Sequence, residues 1–223
     1  TINKKINNTT VIRKKLNPIL IFFYGILRVI VNGIYHIIYN FKIEGKENIP
    51  KGGSYVFASN HRSYADPVLI AIPTRVPFTF MAKEELFKQN FLFTALIKAF
   101  GAFPVVRGAG DMGTIDEAIR RLNKGRNLVI FPEGTRSKDG TVGKGKTGVA
   151  LIAARAQVPV VPVGISFKGS KLKFRCKLII RFGKPISPQE LKITSATPKE
   201  LKVLKLKIMD SIKELVETDV NKL

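Results

Sequence analysis

The chain has 223 residues, of which 45% are hydrophobic, so it is long enough for one domain with a substantial core. Its 38 Lys and Arg against 16 Asp and Glu give a net charge of +22, which favours anionic partners such as nucleic acid, anionic lipid, phosphorylated substrates or an acidic carrier protein. The single cysteine, Cys176, excludes an internal disulfide and, with only two histidines, argues against a metal centre. The sequence carries no zinc-finger, aromatic RNA-binding or helix-turn-helix signature, so we do not expect nucleic acid as a partner.

The first 17 residues are polar and basic, and an apolar segment long enough to cross a membrane follows at 18–39. Polar residues recur within this segment at helical spacing and predict a narrow polar stripe, formed by Gly25, Arg28, Asn32 and His36. Such a stripe is typical of a helix at a membrane interface, or of one pressed against protein along one side.

Basic residues flank the apolar segment on both sides, namely Arg13, Lys14 and Lys15 before it and Lys42, Lys46 and Lys51 after it. A simple span prefers one basic side, although the apolar residues could offset the cost of about 3 kcal/mol for an arginine near mid-bilayer. A span and an ordinary buried helix therefore stay open. We expect one helix, or two short helices broken near Gly25 or Gly33, that dips into one leaflet. This places a membrane-associating region at 1–40 and a folded domain at 41–223.

From residue 41 onward, predicted strands alternate with predicted helices. The predicted strands are 55–58, 78–81, 103–106, 127–131, 158–166 and 177–182. The predicted helices are 67–72, 91–100, 111–123, 148–156 and a last helix that opens at Thr197 with a capping box. Alternation at this spacing predicts an α/β fold: a single domain around a mainly parallel sheet with flanking helices, preceded by the apolar helical membrane element.

The stretch NHRSYADP, residues 60–67, places His61 and Asp66 between a predicted strand and a predicted helix. On one continuous helix, residues five apart point about 140° away from each other and cannot meet. A loop between the strand and the helix can fold the two side chains together. A structural interpretation is also open, because Asp before Pro is a good helix start, with Asp66 as N-cap and Pro67 at the first helical position.

The stretch NLVIFPEGTRS, residues 127–137, delivers a polar loop at the carboxyl end of a buried strand, where open α/β sheets bind ligands. Arg136 offers a planar fork for phosphate, and Gly134 lets the backbone approach a ligand closely. Glu133 can orient a hydrogen-bond donor or a neighbouring cation. Taken alone, a solvated polar turn would also explain this stretch.

Together, these stretches resemble the glycerolipid acyltransferase family, in particular the 1-acyl-glycerol-3-phosphate acyltransferases. The family's His-x4-Asp box is matched by NHRSYADP, and its third box, FPEGTRS, is matched letter for letter by residues 131–137. Its second box is similar to GAFPVVR, which contains Gly101 and Arg107, and its fourth to VPVVPVGI at 158–165. The resemblance covers roughly residues 42–185.

The resemblance implies an enzyme that transfers an acyl group from an acyl thioester to the sn-2 hydroxyl of 1-acyl-glycerol-3-phosphate (lysophosphatidic acid), giving phosphatidic acid. The donor would be the thioester of acyl-carrier protein or of coenzyme A. His61 would be the general base, and Asp66 would fix its tautomer and stabilise the imidazolium. The residues implied to bind the glycerol phosphate group are Arg107, Glu133, Gly134, Thr135 and Arg136.

The same resemblance implies no metal, no cofactor beyond the co-substrate thioester, and no covalent acyl-enzyme. Its implied partners are lysophosphatidic acid, the acyl thioester donor, an anionic membrane surface and, where it is the donor, acyl-carrier protein. It implies a membrane-associated protein on the cytoplasmic face, and we expect it to be monotopic.

Three alternatives remain open from the sequence. The first is a family member acting on glycerol-3-phosphate or another lysophospholipid, although Thr135 favours lysophosphatidate because glycerol-3-phosphate enzymes more often have a second glycine there. The second is a nucleotide hydrolase, since GTVGKGKT at 140–147 fits the P-loop pattern, but it follows a polar loop and not a buried strand. The third is a non-catalytic basic membrane adaptor in which His61 and Asp66 are incidental.

Overall fold

The computed structural model describes residues 17–88, 90–105 and 112–220. The helices are α1 (Pro18–Ile38), α2 (Asp66–Ala71), α3 (Phe91–Ala99), α4 (Met112–Asn123), α5 (Gly148–Ala156) and α6 (Pro198–Val220). The strands are β1 (Asn40–Glu44), β2 (Val56–Ser59), β3 (Phe78–Lys83), β4 (Ala102–Val105), β5 (Asn127–Ile130), β6 (Val160–Phe167) and β7 (Lys177–Phe182). Two short 3-10 turns, Lys46–Asn48 and Glu84–Lys88, follow β1 and β3.

The described strands form one seven-stranded sheet in the order β1-β7-β6-β2-β5-β3-β4. Strands β2 to β6 are parallel where they pair, and β7 is antiparallel to β6. The predicted α/β class with a mainly parallel sheet is therefore confirmed. Because β1 pairs parallel to β7, it starts at the edge of the sheet where β2, β5 and β6 end.

Helices cover both faces of the sheet, which gives three layers. On one face, α4, α5 and α6 bury apolar residues such as Leu122, Ile152 and Leu204. On the other face, α1 and α2 pack against a second cluster that includes Tyr24 and Leu69. Strand β6 is buried along its whole length, as expected for a central strand covered on both sides.

The predicted strands and helices lie within two residues of the observed ends, and the capping box at the start of α6 is confirmed. There the Thr197 amide donates to Glu200 Oε2 at 2.7 Å, and the Glu200 amide donates to Thr197 Oγ1 at 3.3 Å. Strand β1 was not predicted. The alternative of a helix pair is wrong, because α1 runs unbroken through Gly25 and Gly33. A glycine inside a helix costs only about 1 kcal/mol relative to alanine, too little to break a helix that continues in both directions.

Helix α1 packs one side against the domain and exposes the other. Tyr24 and Val31 are buried, and Arg28 Nη1 donates to the Ile72 carbonyl at 3.0 Å. The end of the helix is held by Arg175, whose amide donates to the Ile38 carbonyl at 2.7 Å. The opposite face is apolar and exposed and consists of Ile19, Phe22, Phe23, Ile26, Val29, Ile30, Ile34 and Ile37.

By length and composition α1 is the one helix of the described residues that could cross a membrane, and only 11% of its stretch Ile21–Ile38 is buried against the protein. With Ile21, nine large apolar side chains of α1 are exposed to water, which an ordinary buried helix would not leave. An exposed apolar face of this size favours association with a membrane.

Candidate active site

The two polar motifs leave the sheet at the same edge. Strands β2 and β5 are parallel neighbours, with Ala58 opposite Ile130, so the loops that follow them start side by side. His61 lies in the first loop and residues 131–147 form the second. This is the carboxyl edge of the parallel strands, where ligands bind in α/β folds of this kind.

The first loop brings His61 and Asp66 into direct contact. His61 Nδ1 lies 2.8 Å from Asp66 Oδ2; the carboxylate is fully buried and the imidazole is 16% exposed. The same Oδ2 accepts the backbone amides of Arg62 at 2.6 Å and Ser63 at 2.7 Å. The N-cap interpretation of Asp66 is therefore wrong: α2 begins at Asp66 itself, and the carboxylate turns back to hold the loop that carries His61.

This contact sets the chemistry of the imidazole. With Nδ1–H donating to the carboxylate, Nε2 keeps the basic lone pair. The ring of Phe131 stacks on the imidazole at a centroid distance of 4.0 Å and an interplanar angle of 18°. The ring of His61 is thus oriented by one hydrogen bond and one stacking contact.

The third box, FPEGTRS at residues 131–137 (hereafter the third motif), also holds the backbone of His61. The His61 amide donates to Glu133 Oε1 at 3.1 Å, and the His61 carbonyl accepts the Ser137 amide at 2.7 Å. The other carboxylate oxygen, Glu133 Oε2, accepts the Gly143 amide at 3.0 Å. Glu133 therefore joins three segments of chain, and both of its oxygens face protein amides.

Two further side chains, neither of them predicted from the sequence, fix the first loop from the β6 side. Asn60 is buried and pairs with the backbone of Ile165, donating to its carbonyl at 2.9 Å and accepting its amide at 2.8 Å. Arg62 donates to the Phe167 carbonyl at 2.7 Å and to the Gly169 carbonyl, and its guanidinium lies 3.8 Å above the Phe167 ring. The position of Asn60 directly after a buried strand was the sequence signal that could have indicated these contacts with β6.

The second loop presents several of the residues predicted to bind phosphate. Gly134 has a left-handed φ of 73°, and a Cβ at that position would lie 3.3 Å from Lys146 Nζ. Thr135 and Arg136 are exposed. The Arg136 guanidinium lies 3.8 Å above the ring of Tyr64, and its Nη2 donates to the Tyr64 hydroxyl at 3.1 Å. Tyr64, in the first motif, is a contact that the sequence analysis did not predict.

The second box, GAFPVVR at residues 101–107, lies only partly within the described residues. Gly101 has a φ of +81°, and a Cβ there would lie 2.1 Å from the Phe78 carbonyl oxygen, so only glycine fits where β4 turns in beside β3. The predicted phosphate ligand Arg107 lies outside the described residues.

The loop after the third motif is organised by Asp139. Its Oδ1 accepts the Thr141 amide at 3.0 Å, the Thr141 hydroxyl at 2.8 Å and the Ser137 hydroxyl at 2.9 Å. These bonds, the Thr141 amide first, lower the pKa of Asp139 to about 2. The P-loop pattern at 140–147 lacks its context, because β5 ends at Ile130 and this polar loop separates the strand from Gly140.

Comparison with known proteins assigns the chain to a family. The family profile named Acyltransferase matches residues 40–166. The 1-acyl-sn-glycerol-3-phosphate acyltransferase of Streptococcus pneumoniae is 35% identical over 178 residues, which are 76% of this chain and 65% of that protein. The enzyme of the same name from Bacillus subtilis is 31% identical over 149 residues, 65% of this chain and 73% of that protein.

A solved structure has the same fold. The 1-acyl-sn-glycerophosphate acyltransferase PlsC of Thermotoga maritima superimposes with a TM-score of 0.69 at 27% identity, over 88% of this chain and 80% of that one. The chain spans 65% of the pneumococcal relative, just under two thirds of its length. The family match covers the sheet from β1 to β6 together with both polar loops. The chain belongs to the acyltransferase family.

Proposed function

We propose that the protein transfers an acyl group from an acyl thioester to the sn-2 hydroxyl of 1-acyl-glycerol-3-phosphate, giving phosphatidic acid. The observation that carries this proposal is the contact between His61 Nδ1 and Asp66 Oδ2 at 2.8 Å, placed at the carboxyl edge of the sheet and held there by the third motif. The names of the relatives support the choice of acceptor.

His61 is the general base in this proposal. Nε2 removes the proton of the acceptor hydroxyl while the hydroxyl oxygen attacks the thioester carbonyl, forming the new C–O bond and a tetrahedral oxyanion. When the oxyanion collapses, the C–S bond breaks and the proton on Nε2 passes to the leaving sulfur. Asp66 stabilises the imidazolium between these steps. The reaction balances without a metal, a further cofactor or a covalent acyl-enzyme, and general-base catalysis of this kind contributes about 10²- to 10⁴-fold.

The phosphate of the acceptor is assigned to the second loop. Arg136 is exposed and oriented by Tyr64, and the guanidinium fork matches phosphate oxygens. Gly134 and Thr135 lie beside it with their backbone at the surface of the loop. Arg107 is assigned to the same phosphate on the family resemblance. Glu133 is assigned to this group as well, although its two protein amide partners favour a positioning role.

The acyl donor is proposed to be a thioester of acyl-carrier protein or coenzyme A. The net charge of +22 suits either donor, since one is an acidic protein and the other carries phosphates. The two donors differ in size, so a comparison of their kcat/KM values on the same acceptor identifies the physiological one.

We further propose that α1 lies in one leaflet on the cytoplasmic face of an anionic membrane. Its exposed apolar side supports burial among acyl chains. The first turn of α3 adds two exposed apolar side chains, Phe91 with an exposed fraction of 84% and Leu92 with one of 75%. This helix follows β3 in the chain, and the carboxyl end of β3 lies at the same edge of the sheet as His61. A lysolipid could then reach His61 from the leaflet without leaving apolar surroundings.

A panel of donors and acceptors tests the proposed activity. Purified protein is assayed with both thioesters against lysophosphatidate, glycerol-3-phosphate and another lysophospholipid. We expect lysophosphatidate to give the highest kcat/KM. A preference for glycerol-3-phosphate or another acceptor would select the alternative within the family. The absence of acyl transfer with every pair would favour the membrane adaptor.

A further inference from the structure

Helix α1 carries a polar stripe that has no role in the proposed catalysis and is not part of the exposed apolar face. Arg28, Asn32 and His36 follow one another at four-residue spacing, and since an α-helix turns by about 100° per residue, they share about 80° of its circumference. The protein-facing Tyr24 borders the stripe on one side, and the exposed Val29 borders it on the other. The stripe therefore lies on the seam where the surface of the domain meets the apolar face of α1.

A groove of about 440 Å³ runs along this seam, between α1, the start of the sheet at β1 and the turn after α2. This volume is within the range of about 300–1,000 Å³ that small-molecule sites occupy. Its polar walls are Arg28, Asn32, His36 and Lys46, and Val29 belongs to both the groove and the apolar face. The groove thus opens next to the surface that is proposed to contact acyl chains.

The charge of the groove is not balanced by its own residues. Two of its described lining residues, Arg28 and Lys46, are cations, and no described lining residue is acidic. The nearest carboxylate along β1, Glu44, is already paired with Arg181 and with Lys42. Such a pocket attracts an anion, and a guanidinium fork fits the oxygens of a phosphate group.

The donors that line the groove have capacity left for a ligand. Arg28 uses one N–H on the Ile72 carbonyl, and a guanidinium has five. His36 Nδ1 donates to the Asn32 carbonyl at 2.9 Å, so Nε2 of the neutral ring is an acceptor, and His36 is not counted among these donors. Lys46 is exposed at the rim and can turn its ammonium towards a bound anion.

We propose that this groove binds the phosphate headgroup of an anionic glycerophospholipid whose acyl chains lie along the apolar face of α1. The inference rests on the proposed membrane association of α1. The site is separate from the acceptor site, because its lining includes none of His61, Glu133 and Arg136. It would attach the enzyme preferentially to membranes that contain the class of lipid that its own reaction produces.

Vesicle binding tests this site. The wild type is compared with Arg28→Gln/Lys46→Gln on phosphatidylcholine vesicles with and without phosphatidate. The control, Lys202→Gln/Lys207→Gln, removes the same charge from exposed positions on α6, which covers the opposite face of the sheet. We expect the groove variant to bind phosphatidate vesicles on the order of 25-fold more weakly, about fivefold for each of its two basic residues. Its binding to pure phosphatidylcholine and the binding of the control stay close to wild type.

Several results would overturn the site. Equal losses in the groove variant and the control would indicate a diffuse charge effect, and unchanged binding in the groove variant would show that the groove is not used. The single variant Lys46→Gln changes an exposed position, so it controls for loss of folding in the double variant. It should weaken phosphatidate binding by about fivefold. Inorganic phosphate added at constant ionic strength should compete with phosphatidate for the wild type. Binding of inorganic phosphate that the groove variant loses, in a wild type with no preference for phosphatidate vesicles, would assign the groove to free phosphate and not to a lipid.

The same measurements distinguish a failure of the lipid site from a failure of the proposed membrane association or of the proposed acyl transfer. Failure of the wild type to bind vesicles of either composition would refute the membrane association of α1. Absent acyl transfer with intact vesicle binding would refute the acyltransferase proposal and leave the lipid site standing.

Discussion

The backbone amide of His61 donates a hydrogen bond of 3.1 Å to Oε1 of Glu133, which joins the first motif to the third across neighbouring strands. The second oxygen of Glu133 holds the Gly143 amide. A carboxylate with an amide at each oxygen fixes the position of the chain around it. This arrangement explains why the two motifs occur together: the glutamate of one positions the histidine of the other.

Glu133→Gln tests this positioning role. Glutamine has one acceptor oxygen where glutamate has two, so either the His61 or the Gly143 amide meets an N–H donor. We expect kcat to fall by about 10- to 100-fold, since a small misplacement of a catalytic group costs up to that much, with a smaller change in the acceptor KM. Glu190→Gln, at an exposed position, is the matched control. A rise in the acceptor KM with kcat unchanged would instead assign Glu133 to substrate binding.

Asp66→Asn tests the orientation of the imidazole. The asparagine oxygen can keep the amides of Arg62 and Ser63, which places its NH2 group towards His61 Nδ1 and favours the wrong tautomer. We expect kcat to fall by on the order of 10²-fold or more while the thermal unfolding temperature changes little. The measurement is the pH profile of kcat together with the unfolding temperature. A wild-type profile in a folded variant would show that Asp66 serves only the loop.

Arg136 and Tyr64 test the phosphate assignment. Arg136→Ala should raise the acceptor KM by about 10- to 100-fold, because a hydrogen bond to a charged group contributes about 1.5–3 kcal/mol, and should leave the donor KM near wild type. Tyr64→Phe keeps the stacked ring and loses only the hydroxyl acceptor, so its effect should have the same direction and be smaller. Arg107→Ala is expected to behave like Arg136→Ala.

The control for these variants is Arg155→Ala, an exposed arginine on α5 that pairs with Asp116 on α4. Equal increases in the acceptor and donor KM values for Arg136→Ala would indicate a structural role for this residue.

The topology of α1 is tested by labelling. Single cysteines are placed at residue 10 and residue 46 in a Cys176→Ser background, and sealed vesicles are treated with an impermeant reagent. A helix in one leaflet predicts that both cysteines are labelled from the same side. Labelling from opposite sides would establish a span. High salt should detach the protein only in part, because salt screens charge and not apolar burial.

The sequence predicted those parts of the fold that depend on local patterns. Alternating apolar runs located the strands β2 to β7, and the capping box located the start of α6, because these signals lie within a few residues of each other. Strand β1 was missed because it is an edge strand, only partly buried, whose identity depends on its pairing with residues 177–181 far along the chain.

In the candidate site, too, some contacts could be predicted from local sequence patterns and others could not. The spacing of His61 and Asp66 predicted a loop that brings them together, and the structure has that loop. The sequence could not show that Asn60 binds the backbone of Ile165 or that Tyr64 holds Arg136, since each contact joins elements that are distant in the chain. The polar stripe of α1 was visible in the sequence, but the groove beside it depends on where β1 lies.

His61 is the general base of the proposed reaction, and the turnover number of His61→Ala with lysophosphatidate and an acyl thioester tests this role. The variant removes only the imidazole, because the amide that binds Glu133 and the carbonyl that accepts the Ser137 amide belong to the backbone. We expect a loss of about 10²- to 10⁴-fold in kcat, with an unfolding temperature close to wild type. A folded His61→Ala protein that kept near-native turnover would contradict it.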